Sequence, residues 1–557
     1  MTWRYICLKD VSKIVNALLL SEFVLIALIY YVNIVKHLTI ISNQDQILLL
    51  PRSIIVIDAI ITLILIFSLR ILKRVYIEQI RNLKIRNECN TIVIGAGNTG
   101  EMVVRDISRQ KESKFKVIGF LDDNTNKIGS YINGIKVIGE TKMLAQIGDK
   151  YTINNIIIAI PNLHHKELKK IYDMCRQVGV KTIKIVPRIY DIDNIKLTVN
   201  SLEDIKIEDI LGRQIVNIDF KDIETSLISK RILITGACGS IGSELVKQIY
   251  SFHPIKMILF DIDETDMYNM QIKLEKHHSY IDEHVAFVIG DIKDKERLAQ
   301  VFNFYKPNIV FHAAAYKHVP MMEHNPLEAV KVNIFGTYNL AQASIKFGVE
   351  KFILISTDKA INPNSVMGST KQISEIICKA LDGTTKFISV RFGNVLGSRG
   401  SVLPLFLEQL REGGPLTVTH ENMKRYFMTI PEAVSLVLQA SVIGNGGDVL
   451  LLNMGEPISI LYIAEELIKL HGLEPYKDID IKIVGIRPGE KIFEELFNSD
   501  DIITASKHER IFIIRGGFNM SHIEIEKMLN DLNAKTKDML HENHDLIKKY
   551  LQNIVLK

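Results

Sequence analysis

A strand, a glycine-punctuated turn and a helix follow one another twice in this chain, and that repeat narrows the fold more than any other feature. The first instance is "TIVIGAGNTGEMVVRDI" at 91–107, with Gly95, Gly97 and Gly100 in GxGxxG spacing. The second is "RILITGACGSIGSELVKQI" at 231–249, with Gly236, Gly239 and Gly242 in TGxxGxxG spacing. Glycines there permit a tight turn and close backbone approach, and the helix that follows can hold an anionic group at its N-terminus. The fold class expected is α/β, with two Rossmann-like doubly wound parallel sheets. Residues 87–200 form a first nucleotide-binding unit, 201–228 a linker, and 229–519 a second, larger unit with a smaller C-terminal substrate-binding part. At 557 residues, about three folding units is the reasonable prior.

In the first unit the strand "KVIGFLDD" ends in Asp122 and Asp123, about twenty residues past Gly100, where a ribose-binding acid would sit. A lone GxGxxG leaves two readings open: a bound nucleotide, or a nucleotide-binding fold kept for structure. Gly95, Gly97, Gly100 and Asp122 are the candidates for such a second nucleotide site. The other unit says more. "MILFDIDE" places Asp261 at a strand end about twenty residues past Gly242. A carboxylate there bonds adenosine ribose hydroxyls and repels a 2′-phosphate, so NAD is expected over NADP. "FVIGDIKD" puts Asp291 and Ile292 toward the adenine, and Ser240 and Ile241 complete the glycine loop. Ala313, Ala314 and Ala315 are small where a strand must pass close to a cofactor.

The segment "ISTDKAINPNSVMGSTK" at 355–371 has the layout of a short-chain dehydrogenase active site, ending in Lys371. Such sites place a tyrosine four residues before the lysine, but Met367 stands there, and a thioether moves no proton. The acid–base chemistry has to be found elsewhere, and "STDK" offers Thr357, Asp358 and Lys359 at a strand end.

Residues 230–500 resemble the extended short-chain dehydrogenase/reductases that act on nucleotide sugars. More narrowly, they resemble the membrane-bound polysaccharide-biosynthesis family of UDP-N-acetylglucosamine 4,6-dehydratases, in its long form. The segments that carry the likeness are "HAAAYKHVPMME", "STDKAINPNSVMGSTK", "RFGNVLGSRGSVLPLF", "RYFMTIPEA" and "IRPGEKIFEEL". The preceding nucleotide-binding-like unit and the apolar N-terminal segment match too, and the long branch is similar at Met367. The resemblance implies oxidation at sugar C4, loss of water across C5 and C6, and hydride return to C6. The product would be a UDP-2-acetamido-2,6-dideoxy-4-ketohexose for bacterial surface polysaccharide. It implies Lys359 as C5 base, Asp358 as acid toward C6, and Thr357 serving the C4 hydroxyl. Lys371 would clamp the nicotinamide ribose, and Met367 would pack against cofactor or sugar. Lys317, His318, Asn394, Arg399, Arg425, Arg487 and Glu490 would line the UDP-sugar, arginines suiting the diphosphate through their bidentate fork. One difficulty is physical: Lys359 must be neutral and Asp358 protonated, yet pairing favours both charges. Neighbours on an extended chain point to opposite sides, which is expected to keep them apart, and the cationic nicotinamide and Lys371 would lower the lysine pKa.

The remaining features are coarser. The apolar runs 14–35 and 53–69 are about bilayer length, with Glu22 and Asp58 inside them. Basic residues flank both outer ends, so residues 1–86 are expected as a membrane hairpin plus basic linker, with both ends cytoplasmic. The expected location is the bacterial inner membrane, multi-pass, with the lipid bilayer a partner. Relatives of the long type usually carry more membrane helices and hold "TWRY" internally, which leaves an upstream start open. The tail 520–557 reads as a packing or oligomer element, and a homo-oligomer is expected. Cys7, Cys89, Cys175, Cys238 and Cys378 lie far apart, so neither a disulfide framework nor a zinc site is implied. His312 and His318 lack an acid or cysteine to complete a metal site, and no metal is expected. A formal charge of +4 is nearly neutral for this length and argues neither for nor against nucleic acid; no nucleic-acid partner is expected. Two other readings compete. A UDP-sugar 4-epimerase shares fold and cofactor. A ligand-gated potassium channel would need a carbonyl-lined filter, and "KHLTIISNQDQILLLPRS" holds no TVGYG-like run.

Overall fold

The computed structural model describes residues 89–555, except 111–112, 162, 181, 187–201, 212–217, 278–280, 499–500, 517–519 and 539–543, together with scattered positions between 20 and 68. The first unit is built on a seven-stranded sheet. Its parallel strands Cys89–Ile94, Phe115–Leu121, Ile135–Gly139, Asn155–Ile158 and Thr182–Ile185 are closed off by the short antiparallel edges Tyr131–Ile132 and Glu203–Asp204. Ile92, Val93, Ile94, Ile156, Ile157 and Ile158 are fully buried. Uninterrupted β-branched runs of this kind suit strands covered on both faces.

The larger unit holds a nine-stranded sheet. In sequence order its first six strands are Arg231–Thr235, Lys256–Asp261, Val285–Ile289, Ile309–His312, Lys351–Ile355 and Lys386–Arg391. They stand third-second-first-fourth-fifth-sixth, the doubly wound arrangement. Val449–Leu452 continues the parallel set, and Ile511–Arg515 and Ile502–Ala505 follow antiparallel. One face is covered by the helices Lys295–Tyr305, Thr337–Lys346 and Val366–Ala380. The tail helices His522–Asp538 and His544–Val555 join that layer through Ile525, Leu532, Leu551 and Ile554, so the tail packs onto the larger unit. The other face carries Phe220–Leu227, Ser240–Tyr250 and Ile430–Ile443.

A smaller lobe sits beyond the C-terminal ends of the parallel strands. Its core joins Leu396, Leu403 and Phe406 to Ile460, Ile463 and Leu467. Ile207 and Leu211 belong to the same cluster. The segment 201–228 thus gives one helix, Ile207–Leu211, to the lobe and another, Phe220–Leu227, to the back of the sheet. The first unit touches the lobe as well: Lys169 pairs with Glu466 at 3.0 Å and bonds Tyr462.

The N-terminal expectation needs correction. Among the described residues no helix is long and apolar enough to cross a membrane. A span takes about twenty consecutive apolar residues in one helix. The transmembrane hairpin, the bilayer as partner and the multi-pass inner-membrane location are therefore not supported. Most of both runs, Glu22 and Asp58 included, lies outside the described residues.

Candidate active site

The cleft between strand ends and lobe encloses a cavity of about 600 Å³, where doubly wound sheets hold their ligands. Its floor starts at the second glycine loop. Gly236 has φ +66°, and a Cβ there would stand 2.6 Å from the backbone nitrogen of Ala314. Only glycine lets the loop lie this close to the end of the neighbouring strand Ile309–His312. The helix Ser240–Tyr250 then begins at Gly239 with no side chain capping it. Gly239, Ser240, Ile241 and Gly242 all line the cavity, as do Ala313 and Ala315. Gly236, Ala314, Asp261, Asp291 and Ile292 are not among the residues that line it. Asp261 accepts from the Cys238 N–H at 2.8 Å and from the Asp263 N–H at 3.1 Å, which ties the acidic strand end to the glycine loop. Asp291 accepts from the Lys293 N–H at 2.9 Å, and Ile292 is core.

His312 bridges Thr235 (2.8 Å) and Thr337 (2.9 Å) within the core. Burial, followed by the charge of Lys371, pushes its pKa down to about 3, so it stays neutral. No cluster of potential metal ligands exists among the described residues.

The strand Lys351–Ile355 leads into the centre of the site. Thr357 starts a short 3-10 turn over Asp358–Ala360 rather than continuing the strand. That turn overturns the expectation that Asp358 and Lys359 diverge. Lys359 Nζ donates to Asp358 Oδ1 at 2.9 Å, and Thr357 Oγ1 donates to the same oxygen at 2.9 Å. Lys359 Nζ also donates to Asn394 Oδ1 at 2.9 Å and lies 3.7 Å from Glu494 Oε1. Burial would lower the Lys359 pKa, but the carboxylates of Asp358 and Glu494 outweigh it, and the amine is held above the ordinary lysine value. Thr357 and Lys359 line the cavity, whereas the Asp358 side chain is 0% exposed. Asp358 therefore reaches the cavity through its two neighbours.

Met367 and Lys371 sit on the first turns of the helix Val366–Ala380, both buried and both on the cavity wall. The N-terminus of that helix is pinned twice. Ser365 accepts from the Gly368 N–H at 3.1 Å, and Glu323 accepts from the Val366 N–H at 2.7 Å while pairing with Lys548 of the tail. Burial pushes the Lys371 pKa down to about 8 against the pull of Glu375. Behind the wall, Glu375 forms a two-point ion pair with Arg391 and accepts from Ser356.

Lys317, His318, Asn394, Arg399, Arg425, Arg487 and Glu490 all line the cavity. Their engagements differ. The Arg425 guanidinium donates to the carbonyls of Lys424, Ile492 and Lys491, so it holds the lobe's 491–494 strap. The Arg399 side chain pairs with Asp266, and its N–H donates to Ser240 Oγ at 3.1 Å. Glu490 accepts from the Arg487 N–H at 3.3 Å. Burial lowers the pKa of both Lys317 and His318. The sequence reading missed Glu494, which lies buried between Lys359 and Arg425. "GEKIFEEL" holds three glutamates, and nothing in their spacing marks the middle one.

In the first unit, Gly95, Gly97 and Asp122 line a separate cavity of about 340 Å³. Gly100 packs beneath it, where a Cβ would stand 2.0 Å from the Gly95 carbonyl oxygen. Burial would raise the Asp122 pKa. Bonds from the Asn124 N–H, Lys127 and the Ala96 N–H outweigh that and hold it below the ordinary value.

Comparison with known proteins places both units. Residues 232–516 match the polysaccharide biosynthesis protein family, and residues 7–187 match a CoA-binding domain. The capsular polysaccharide biosynthesis protein CapD of Staphylococcus aureus is 44% identical over 454 residues, covering 81% of this chain and 75% of that protein. A UDP-N-acetylglucosamine 4,6-dehydratase (inverting) of Campylobacter jejuni is 34% identical over 313 residues, covering 55% and 89%. A UDP-glucose 4-epimerase of Rickettsia rickettsii is 35% identical over 287 residues, covering 50% and 80%.

Proposed function

The chain belongs to the polysaccharide biosynthesis protein family, within the dehydratase and epimerase class of extended short-chain dehydrogenases, and we propose that it is a UDP-N-acetylglucosamine 4,6-dehydratase. The observation that carries this reading is the bonded set Thr357–Asp358–Lys359 beside a methionine at the usual tyrosine position. A 4-epimerase needs proton transfer at C4 alone, whereas elimination across C5 and C6 needs a base and an acid together.

NAD fits the residues present. The Gly236 turn leaves a cradle that a Cβ would fill, the uncapped helix at Gly239 offers free N–H groups to a diphosphate, and Asp261 stands at the next strand end. When bound, NAD supplies the hydride acceptor for C4 oxidation and the donor for C6 reduction. The protein's own groups handle the protons. Thr357 takes the C4 hydroxyl proton at Oγ1 and passes its own along the 2.9 Å bond to Asp358. Lys359 Nζ, once neutral, removes the proton from C5. Asp358 returns its proton through Thr357 to the departing C6 hydroxyl, which leaves as water. Lys359 then gives its proton back to C5, so protons balance over the cycle. Met367 and Lys371 shape the wall next to this chemistry, and Lys317, His318, Asn394, Arg399, Arg487 and Glu490 receive the nucleotide sugar.

Purified protein incubated with UDP-N-acetylglucosamine should yield a UDP-sugar lighter by one water, identified by mass and NMR. A product of unchanged mass with inverted C4 would instead establish the epimerase.

The cofactor preference has its own test. Asp261→Asn keeps an oxygen for the Cys238 N–H but removes the charge. It should narrow the preference for NAD over NADP by roughly tenfold or more, measured as nucleotide binding to the purified protein. An unchanged preference would show that Asp261 does not select the cofactor.

A further inference from the structure

We infer that Glu494 is a positioning residue that sets the charge of Lys359, acting as a counter-anion that Lys359 shares with Arg425. The geometry is that of a strap across the catalytic turn. Residues 491–495 are fastened to 359–362 at three points. Lys491 Nζ donates to the Ile361 carbonyl at 3.2 Å, Asn362 Nδ2 donates to Glu495 at 2.8 Å, and Glu494 Oε1 lies 3.7 Å from Lys359 Nζ. Arg425 secures the same strap through the Ile492 and Lys491 carbonyls, and its Nε lies 3.6 Å from Glu494 Oε1. The Glu494 side chain is 4% exposed, so water screens it little.

The charged groups facing Lys359 are thus Asp358 on its own turn, Glu494 on the strap and Arg425 on the lobe strand; Asn394 is neutral. Asp358 is needed for proton transfer and cannot be varied independently of it. Glu494 also lines the cavity, and its described ion pairs are with Lys359 and Arg425; reading the charge of Lys359 directly separates this role from any contact with a bound sugar. The strap is also continuous with Arg487 and Glu490 on the cavity wall, so whatever occupies that wall sits on the segment that carries the counter-anion.

The consequence for turnover rests on the dehydratase reading, because only there must Lys359 become neutral. The consequence for Lys359 itself does not. Lysine charge in the purified full chain can be read by competitive acylation across pH, with mass spectrometry of the Lys359 peptide. In Glu494→Gln the labelling midpoint should move to lower pH by about one unit or more. The ascending limb of kcat/KM, which reports the free enzyme, should move with it. Glu494→Asp keeps the charge and should return both toward the wild-type position. Arg425→Gln leaves Glu494 to Lys359 alone and should move the midpoint up, so the sign is tested even if one variant fails to fold. A Glu494→Gln protein that loses rate with its midpoint unmoved, or an Arg425→Gln midpoint that falls, overturns the inference. A wild type that labels as described but turns over no UDP-sugar would sink the dehydratase reading and leave the assignment of Glu494 standing.

Discussion

A Lys359→Met protein is expected to dehydrate UDP-N-acetylglucosamine roughly 10²–10⁴-fold more slowly than the wild type, while Met367→Leu retains most of the rate. Lys359 is the amine on the cavity wall that bonds Asp358, and the Asp358 side chain itself is shut off from the cavity. Lys359→Arg is the sharper companion. It keeps a cation between Asp358 and Glu494, and so keeps the fold, but a guanidinium does not deprotonate at working pH. It should be as inactive as Lys359→Met. Met367 is 3% exposed and offers only volume, which leucine nearly matches. Near-normal turnover in Lys359→Arg, or a dead Met367→Leu, would contradict the relocated acid–base set.

The second large effect is on stability. Arg391 is 6% exposed and meets Glu375 through Nε at 2.9 Å and NH2 at 2.6 Å, beneath the helix that carries Met367 and Lys371. Glu375→Leu strands a buried guanidinium and takes the acceptor from Ser356 as well. Breaking such a pair from one side typically costs about 3–5 kcal/mol. Urea denaturation should show the midpoint falling in proportion, with the slope unchanged. Glu375→Leu combined with Arg391→Met should recover most of the loss, because neither charge then remains buried. A single variant within about 1 kcal/mol of the wild type would mean that water reaches Arg391, whose NH1 has no hydrogen-bond partner among the described residues.

Much of this architecture could be read from the chain because its signals are local. The glycine turns at Gly95 and Gly236, the apolar strands before them and the acids Asp122 and Asp261 after them all lie within single strand–turn–helix units. Strand order follows once such units repeat. What escaped the reading depends on contacts distant in sequence. Whether Asp358 and Lys359 diverge or converge is decided by a 3-10 turn, and "TDK" at a strand exit permits either. Glu494 is brought to Lys359 by a strap that Arg425 holds from another strand. The segment 201–228 lacks the length and periodicity to announce two helices, yet Ile207, Leu211, Ile223 and Leu227 find apolar partners in separate layers. The N-terminal runs show the opposite error. Apolar length and basic flanks point to membrane spans there, and no helix among the described residues is long and apolar enough to be one.

On the function proposed above, the Thr357–Asp358–Lys359 set eliminates water across C5 and C6. Turnover in deuterium oxide tests it most directly, with the recovered UDP-sugar examined by NMR. The expected product is a 4-keto-6-deoxy sugar carrying solvent deuterium at C5, with C5 exchange lost in Lys359→Arg. A sugar that keeps its C6 hydroxyl and its original C5 hydrogen, with only C4 altered, would contradict it.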